Sequence, residues 1–144
     1  MAIDELLSLM KSNGAVFAPA AADREITLAG NGLQNIRAAI LPMFAIDLYK
    51  TVGGIILGDA YVFGPRENKT AKKFPVPNIL QINSDISNLP QMRGKTVFGR
   101  NDLFWFAFDT FGNCFMMDNT TLRPLRKYEE PWRALTDCLI AGKM

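Results

Sequence analysis

The side chains that ordinarily do chemistry are scarce in this sequence, and histidine is absent. Without imidazole the chain lacks the commonest general base, the commonest metal ligand and every nucleophile that depends on a histidine partner. Aspartates, two cysteines and a glycine run remain. Asp59, Asp85, Asp102, Asp109 and Asp118 fall near the ends of predicted strands. Two such carboxylates can carry glycoside hydrolysis, but turn aspartates more often accept from local backbone N–H groups. Nothing in their spacing favours the first use. Cys114 and Cys138 are the only cysteines, and neither has a partner at zinc-site spacing. Cys114 as a nucleophile would need an activating base, and no histidine is available. The pair reads as two buried thiols in a reducing compartment, not as a disulfide. Gly53-Gly54-Ile55-Ile56-Leu57-Gly58 has the outline of a phosphate loop without the Lys-Ser/Thr that should follow. It also follows a predicted helix, where a phosphate loop follows a strand, so a helix cap explains it better. The expectation is a chain that is not an enzyme and needs no cofactor and no metal.

The totals set further bounds. A length of 144 residues suits one domain, and 49% hydrophobic against 21% charged residues is enough to build one core. No apolar run has membrane-spanning length. The opening Met1-Ala2-Ile3-Asp4-Glu5 is acidic where a signal peptide is positive, which predicts a cytoplasmic protein. A net charge of +2 is too small for a nucleic-acid binder. The charge is unevenly spread, with seven Lys/Arg against three Asp/Glu between residues 51 and 100. Much of that excess lies in Arg66-Glu67-Asn68-Lys69-Thr70-Ala71-Lys72-Lys73. The segment is either a solvated loop or a positive rim facing an acidic partner.

These residues must be positioned by helices at the ends and strands between. Ile3, Leu6, Leu7 and Met10 have helical spacing, stopped by Gly14. Residues 15–30 read as an irregular link. Leu33, Ile36, Ala39 and Ile40 form a second helical stripe, and Pro42 opens a third helix that runs to Val52 with Phe44, Leu48, Tyr49 and Val52 inward. Strands are predicted at Ile55–Leu57, Tyr61–Phe63, Ile79–Ile82, Thr96–Arg100, Leu103–Phe108 and Asn113–Asp118. A short edge strand is predicted at Leu122-Arg123, before a closing helix from Tyr128 to Leu139. This order predicts an α+β fold: a mostly antiparallel sheet of about six strands, with helices from both termini packed on it.

In Leu103-Phe104-Trp105-Phe106-Ala107-Phe108, alternation puts the three phenylalanines on one face and Trp105 on the other. The phenylalanines are read as the core wall beneath the helices, and Trp105 as the better candidate for a functional role. A sheet with helices on one face leaves the other available, and an aromatic there can anchor an interface. The binding residues predicted on this ground are Trp105, Asp59 at the first hairpin, and Arg66, Lys69, Lys72 and Lys73 of the basic loop.

Several segments together resemble the SUKH superfamily, which includes bacterial immunity proteins and fungal regulators of cell-wall glucan synthesis. They are Leu41-Pro42 leading a helix that ends in Gly53-Gly54, then Tyr61-Val62-Phe63-Gly64-Pro65, Ile79-Leu80-Gln81-Ile82-Asn83-Ser84-Asp85, Val97-Phe98-Gly99-Arg100-Asn101-Asp102 with Phe104 to Asp109, and the helix from Tyr128. The match covers roughly residues 33 to 140 by order of elements. On this reading residues 1–144 are one SUKH-like domain, with 1–30 as an N-terminal helix and link and 31–144 as the core of the resemblance. The resemblance implies a non-enzymatic protein-binding module, of the immunity type, that binds and neutralises a partner toxin through the sheet and its bordering loops. The alternatives are a regulatory or scaffold protein of the glucan-synthesis type, or a small-molecule-binding or carboxylate-dependent hydrolytic domain. The mildly basic surface suits an acidic protein partner and argues against a nuclease toxin. The oligomeric state is left open.

Overall fold

The structure is a computed structural model that describes residues 3–69 and 75–140. Helix α1 (Ile3–Ser12) buries Leu6, Leu7 and Met10 along one side. Gly14 ends it in the left-handed conformation, at φ 96°. Residues 15–30, predicted as a link, instead form strand β1 (Val16–Phe17) and the start of helix α2 (Asp23–Asn35). The helix has an apolar stripe of Ile26, Ala29 and Leu33. Gly30 and Gly32 lie inside it and weaken its helical signal. The predicted stripe beyond Leu33 is cut short. Arg37 takes a positive φ of 62°, and Ile40 is left exposed.

Helix α3 (Met43–Thr51) follows Pro42 and buries Phe44, Ala45, Leu48 and Tyr49. Val52 caps it in an extended conformation. The glycine after it answers a different need from the predicted cap. A Cβ on Gly53 would sit 2.3 Å from the Pro19 carbonyl oxygen, and one on Gly64 would sit 1.5 Å from the Gly53 carbonyl oxygen. Three stretches of backbone therefore meet at a point where only glycine fits.

Strands β2 (Ile55–Leu57) and β3 (Ala60–Val62) form a hairpin with Leu57 opposite Ala60. The next segment departs from expectation, because Ile79–Ile82 opens helix α4 (Ile79–Ile86) and is not a strand. Its start is a capping box. The Gln81 amide N–H donates to Asn78 Oδ1 at 2.7 Å, and the Asn78 N–H donates to Gln81 Oε1 at 2.8 Å. A 3-10 turn at Pro90–Met92 leads into β4 (Lys95–Arg100), β5 (Phe104–Asp109), β6 (Cys114–Asp118) and β7 (Pro124–Tyr128). Helix α5 (Pro131–Ile140) closes the described chain. Tyr128, predicted to begin that helix, is the last residue of β7 and pairs with Cys114.

The fold is α+β. The strands form one seven-stranded sheet in sequence order, antiparallel throughout, one strand more than predicted. Helix α5 crosses one face from β2 to β7 and packs against α1. Beneath it, Phe106 and Phe108 are fully buried. Phe44 of α3 stands edge-on to Phe98, Phe108 and Trp132, with centroids 5.7, 6.0 and 6.1 Å away. The far end of α5 is clamped to the edge of the sheet, where Asp137 accepts from Tyr128 Oη at 2.7 Å and from Arg126 Nη1 at 3.0 Å.

Candidate protein interface

The strand registers bring one row of side chains across the face opposite Phe106. Val16, Ile56, Tyr61, Arg100, Trp105, Met117 and Pro124 are successive cross-strand partners. Directly opposed residues in antiparallel strands share a face. At the centre of the row Tyr61, Arg100 and Trp105 are partly exposed, and the Arg100 guanidinium lies 5.8 Å from the Tyr61 ring centroid. A neighbouring row holds Val97, Ala107, Phe115 and Lys127, and a third pairs Lys95 with Asp109. Lys95 Nζ lies 5.8 Å over the Phe115 ring.

Arg100 reaches this face because β4 carries a bulge. The register shifts between Val97 and Gly99, so Val97 faces Ala107 while Gly99 faces Phe106. Phe98 turns its ring into the core against Phe44 and Phe108. Strict alternation would have put Arg100 on the same side as Phe98. The extra residue moves it to the face opposite Phe106, beside Trp105.

The charge on that face is positive. Lys95, Arg100 and Lys127 lie there with Asp109, whose Oδ1 accepts from the turn N–H groups of Phe111 at 2.9 Å and Asn113 at 3.0 Å. Asp118 has a similar turn role, accepting from the N–H groups of Thr120 and Thr121 at 2.7 and 2.9 Å. Those bonds hold its carboxyl below the ordinary range. The thiols are inert at neutral pH. Burial, with Asp109 nearby, pushes Cys114 up to about 12, and burial raises Cys138 as well. Both are free cysteines. Among the described residues no cluster of three or more His, Cys, Asp or Glu side chains is placed to hold a metal ion, and no helix is long and apolar enough to cross a membrane.

The predicted binding residues do not form a single cluster. Trp105 takes the face opposite the phenylalanines and is partly exposed. Asp59 is exposed in the β2–β3 turn, at the end of the hairpin nearest Tyr61 and away from Gly53. Arg66 and Lys69 line a cavity of about 180 Å³ with Ala18, Pro19 and Gly53, beside the start of β2. Arg66 is committed there, with Nε 2.8 Å from Glu25 Oε2 and Nη2 donating to the Pro19 carbonyl at 3.1 Å. It ties α2 to the loop before it. Lys72 and Lys73 lie outside the described residues. Tyr61 and Arg100 were missed from sequence. Both lie in segments that read as strands, but their alignment with Trp105 needed the pairing register and the bulge.

Compared with protein-family models, with curated proteins and with solved structures, the chain matches none.

Proposed function

We propose that this chain is a non-enzymatic protein-binding module whose partner docks on the sheet face opposite Phe106, at the partly exposed Tyr61, Arg100 and Trp105. The observation that carries the reading is the alignment of Tyr61, Arg100 and Trp105 on three adjacent strands. Tyr, Trp and Arg are the residue types that dominate interface energetics, and rigid central strands hold them with little entropy left to lose on binding. Cationic Lys95 and Lys127 on the same face favour encounter with an acidic partner. The biological role we propose is that of a SUKH-type immunity protein, which neutralises a toxin by covering it. The order of elements supports this: a helix followed by a glycine pair, a hairpin, a run of antiparallel strands and a final helix across them.

Co-expression with the protein encoded beside it tests the role. Wild type is expected to form a stable complex and relieve growth inhibition. Trp105→Ala, checked first for a cooperative melt above the assay temperature, is expected to lose both. A folded Trp105→Ala variant that binds and protects like wild type would overturn the proposed surface.

A further inference from the structure

We infer that Arg100 is a receptor for a carboxylate on the partner, an Asp or Glu side chain presented by an extended or loop segment, with Tyr61 and Trp105 packing on the aliphatic part of that segment. This rests on the protein-binding reading of the same face and names the chemistry of what docks there.

The two arginines whose ion pairs are described, Arg66 and Arg126, are met by Glu25 and Asp137. Arg100 differs from both. Among the described residues it has no carboxylate partner and donates no hydrogen bond, and its Nε is buried without an acceptor. Its one described contact of this kind is with the face of Tyr61. The buried Nε is left without an acceptor and the terminal nitrogens have no protein acceptor among the described residues, so an incoming carboxylate can meet the terminal fork in a planar, two-oxygen form. The flanking rings exclude water from that contact, which strengthens it. Among the described residues, no acid is paired with Arg100. Asp109 is used in its turn, and neither Asp59 nor Asp102, in the turns bordering Tyr61 and Trp105, pairs with Arg100. The bulge at Phe98 is what puts a cation here, since regular alternation would have buried it.

The probe is a pair of blocked five-residue peptides, Gly-Leu-Glu-Leu-Gly and its isostere Gly-Leu-Gln-Leu-Gly, titrated into ¹⁵N-labelled protein. The readouts are the Arg100 Nε–H and Trp105 indole signals. A short peptide making few contacts should bind at roughly 1–10 mM. The Glu peptide is expected to shift both signals, with the Gln peptide about tenfold weaker. Arg100→Gln and Arg100→Lys should remove the preference for Glu while the Trp105 signal confirms an intact fold. Equal response to the two peptides, or a Glu preference that survives Arg100→Gln, overturns the carboxylate inference and leaves the docking face standing. Silence of both signals with the Glu peptide also overturns it, and the docking face is then judged by the co-expression experiment alone.

Discussion

The side-chain amide of Asn83 pairs with the backbone of Val97 as a neighbouring strand would. Asn83 Oδ1 accepts from the Val97 N–H at 2.8 Å, and Nδ2 donates to the Val97 carbonyl at 2.9 Å. A further bond from Nδ2 to the Ile79 carbonyl, at 2.8 Å, holds the amide in place. The described β3–β4 pairing covers Val62 with Gly99 and Tyr61 with Arg100, so α4 supplies the edge of β4 further back. Asn83 and Val97 are both buried. Replacing Asn83 by Ala strands a donor and an acceptor of the backbone, and should cost about 2–4 kcal/mol in urea unfolding. A variant with wild-type stability would mean that water or a rearranged strand replaces the amide.

Phe106 is fully buried beneath α5, and its ring lies 6.4 Å from that of Tyr128. Phe106→Ala should lose about 3–5 kcal/mol, read from a denaturant melt. Trp105→Ala, on the opposite face of the strand and only partly buried, should lose distinctly less. Equal losses would contradict the deeper burial of Phe106 than of Trp105.

The meeting of Gly53 and Gly64 leaves no room for a side chain. Gly64→Ala is expected to destabilise the fold by more than about 3 kcal/mol, because the obstacle is backbone and not a flexible side-chain tip. Soluble, cooperatively melting Gly64→Ala protein at the wild-type midpoint would refute this.

Alkaline pH should weaken the fold. Cys114 is pushed up to about 12 in the native state, whereas an unfolded thiol ionises near about 8.5. The stabilisation is complete below the unfolded value and is lost as pH rises through the native one. Cys138, Tyr49 and Tyr128 are raised by burial and act in the same direction. The urea midpoint is expected to fall steadily above about pH 9. Thiol reagents at neutral pH should label both cysteines only at the rate of unfolding.

Asp118 works the other way. Its carboxyl is lowered by the Thr121 and Thr120 N–H groups, so its contribution is present above the unfolded pKa and lost as pH falls through the native one. The melting-temperature gap between wild type and Asp118→Ala should be open at neutral pH and narrow in acid, below about pH 4. A gap independent of pH would assign the effect to the side chain's shape and not to its charge.

Some of this was legible from local pattern because local physics decided it. The stripe of α1, the span of α3 after Pro42, and the burial of Phe106 and Phe108 follow from periodicities that one element expresses by itself. Ile79–Ile82 was misread because a four-residue apolar run suits a strand or a buried helix. The deciding signal was the Asn78–Gln81 capping pair just before it. The basic segment was visible as charge, yet the pairing of Arg66 with Glu25 spans α2 and a loop and has no local signature. Arg100 shows the limit most clearly. Its type and its strand were evident, but its face depends on one extra residue at Phe98. That bulge is settled by Gly99 fitting under Cys138 of α5 and by the Phe98 ring packing on Phe44 of α3. Those partners are distant in sequence, so alternation along β4 carries no trace of them, and only the packed structure decides which way Arg100 points.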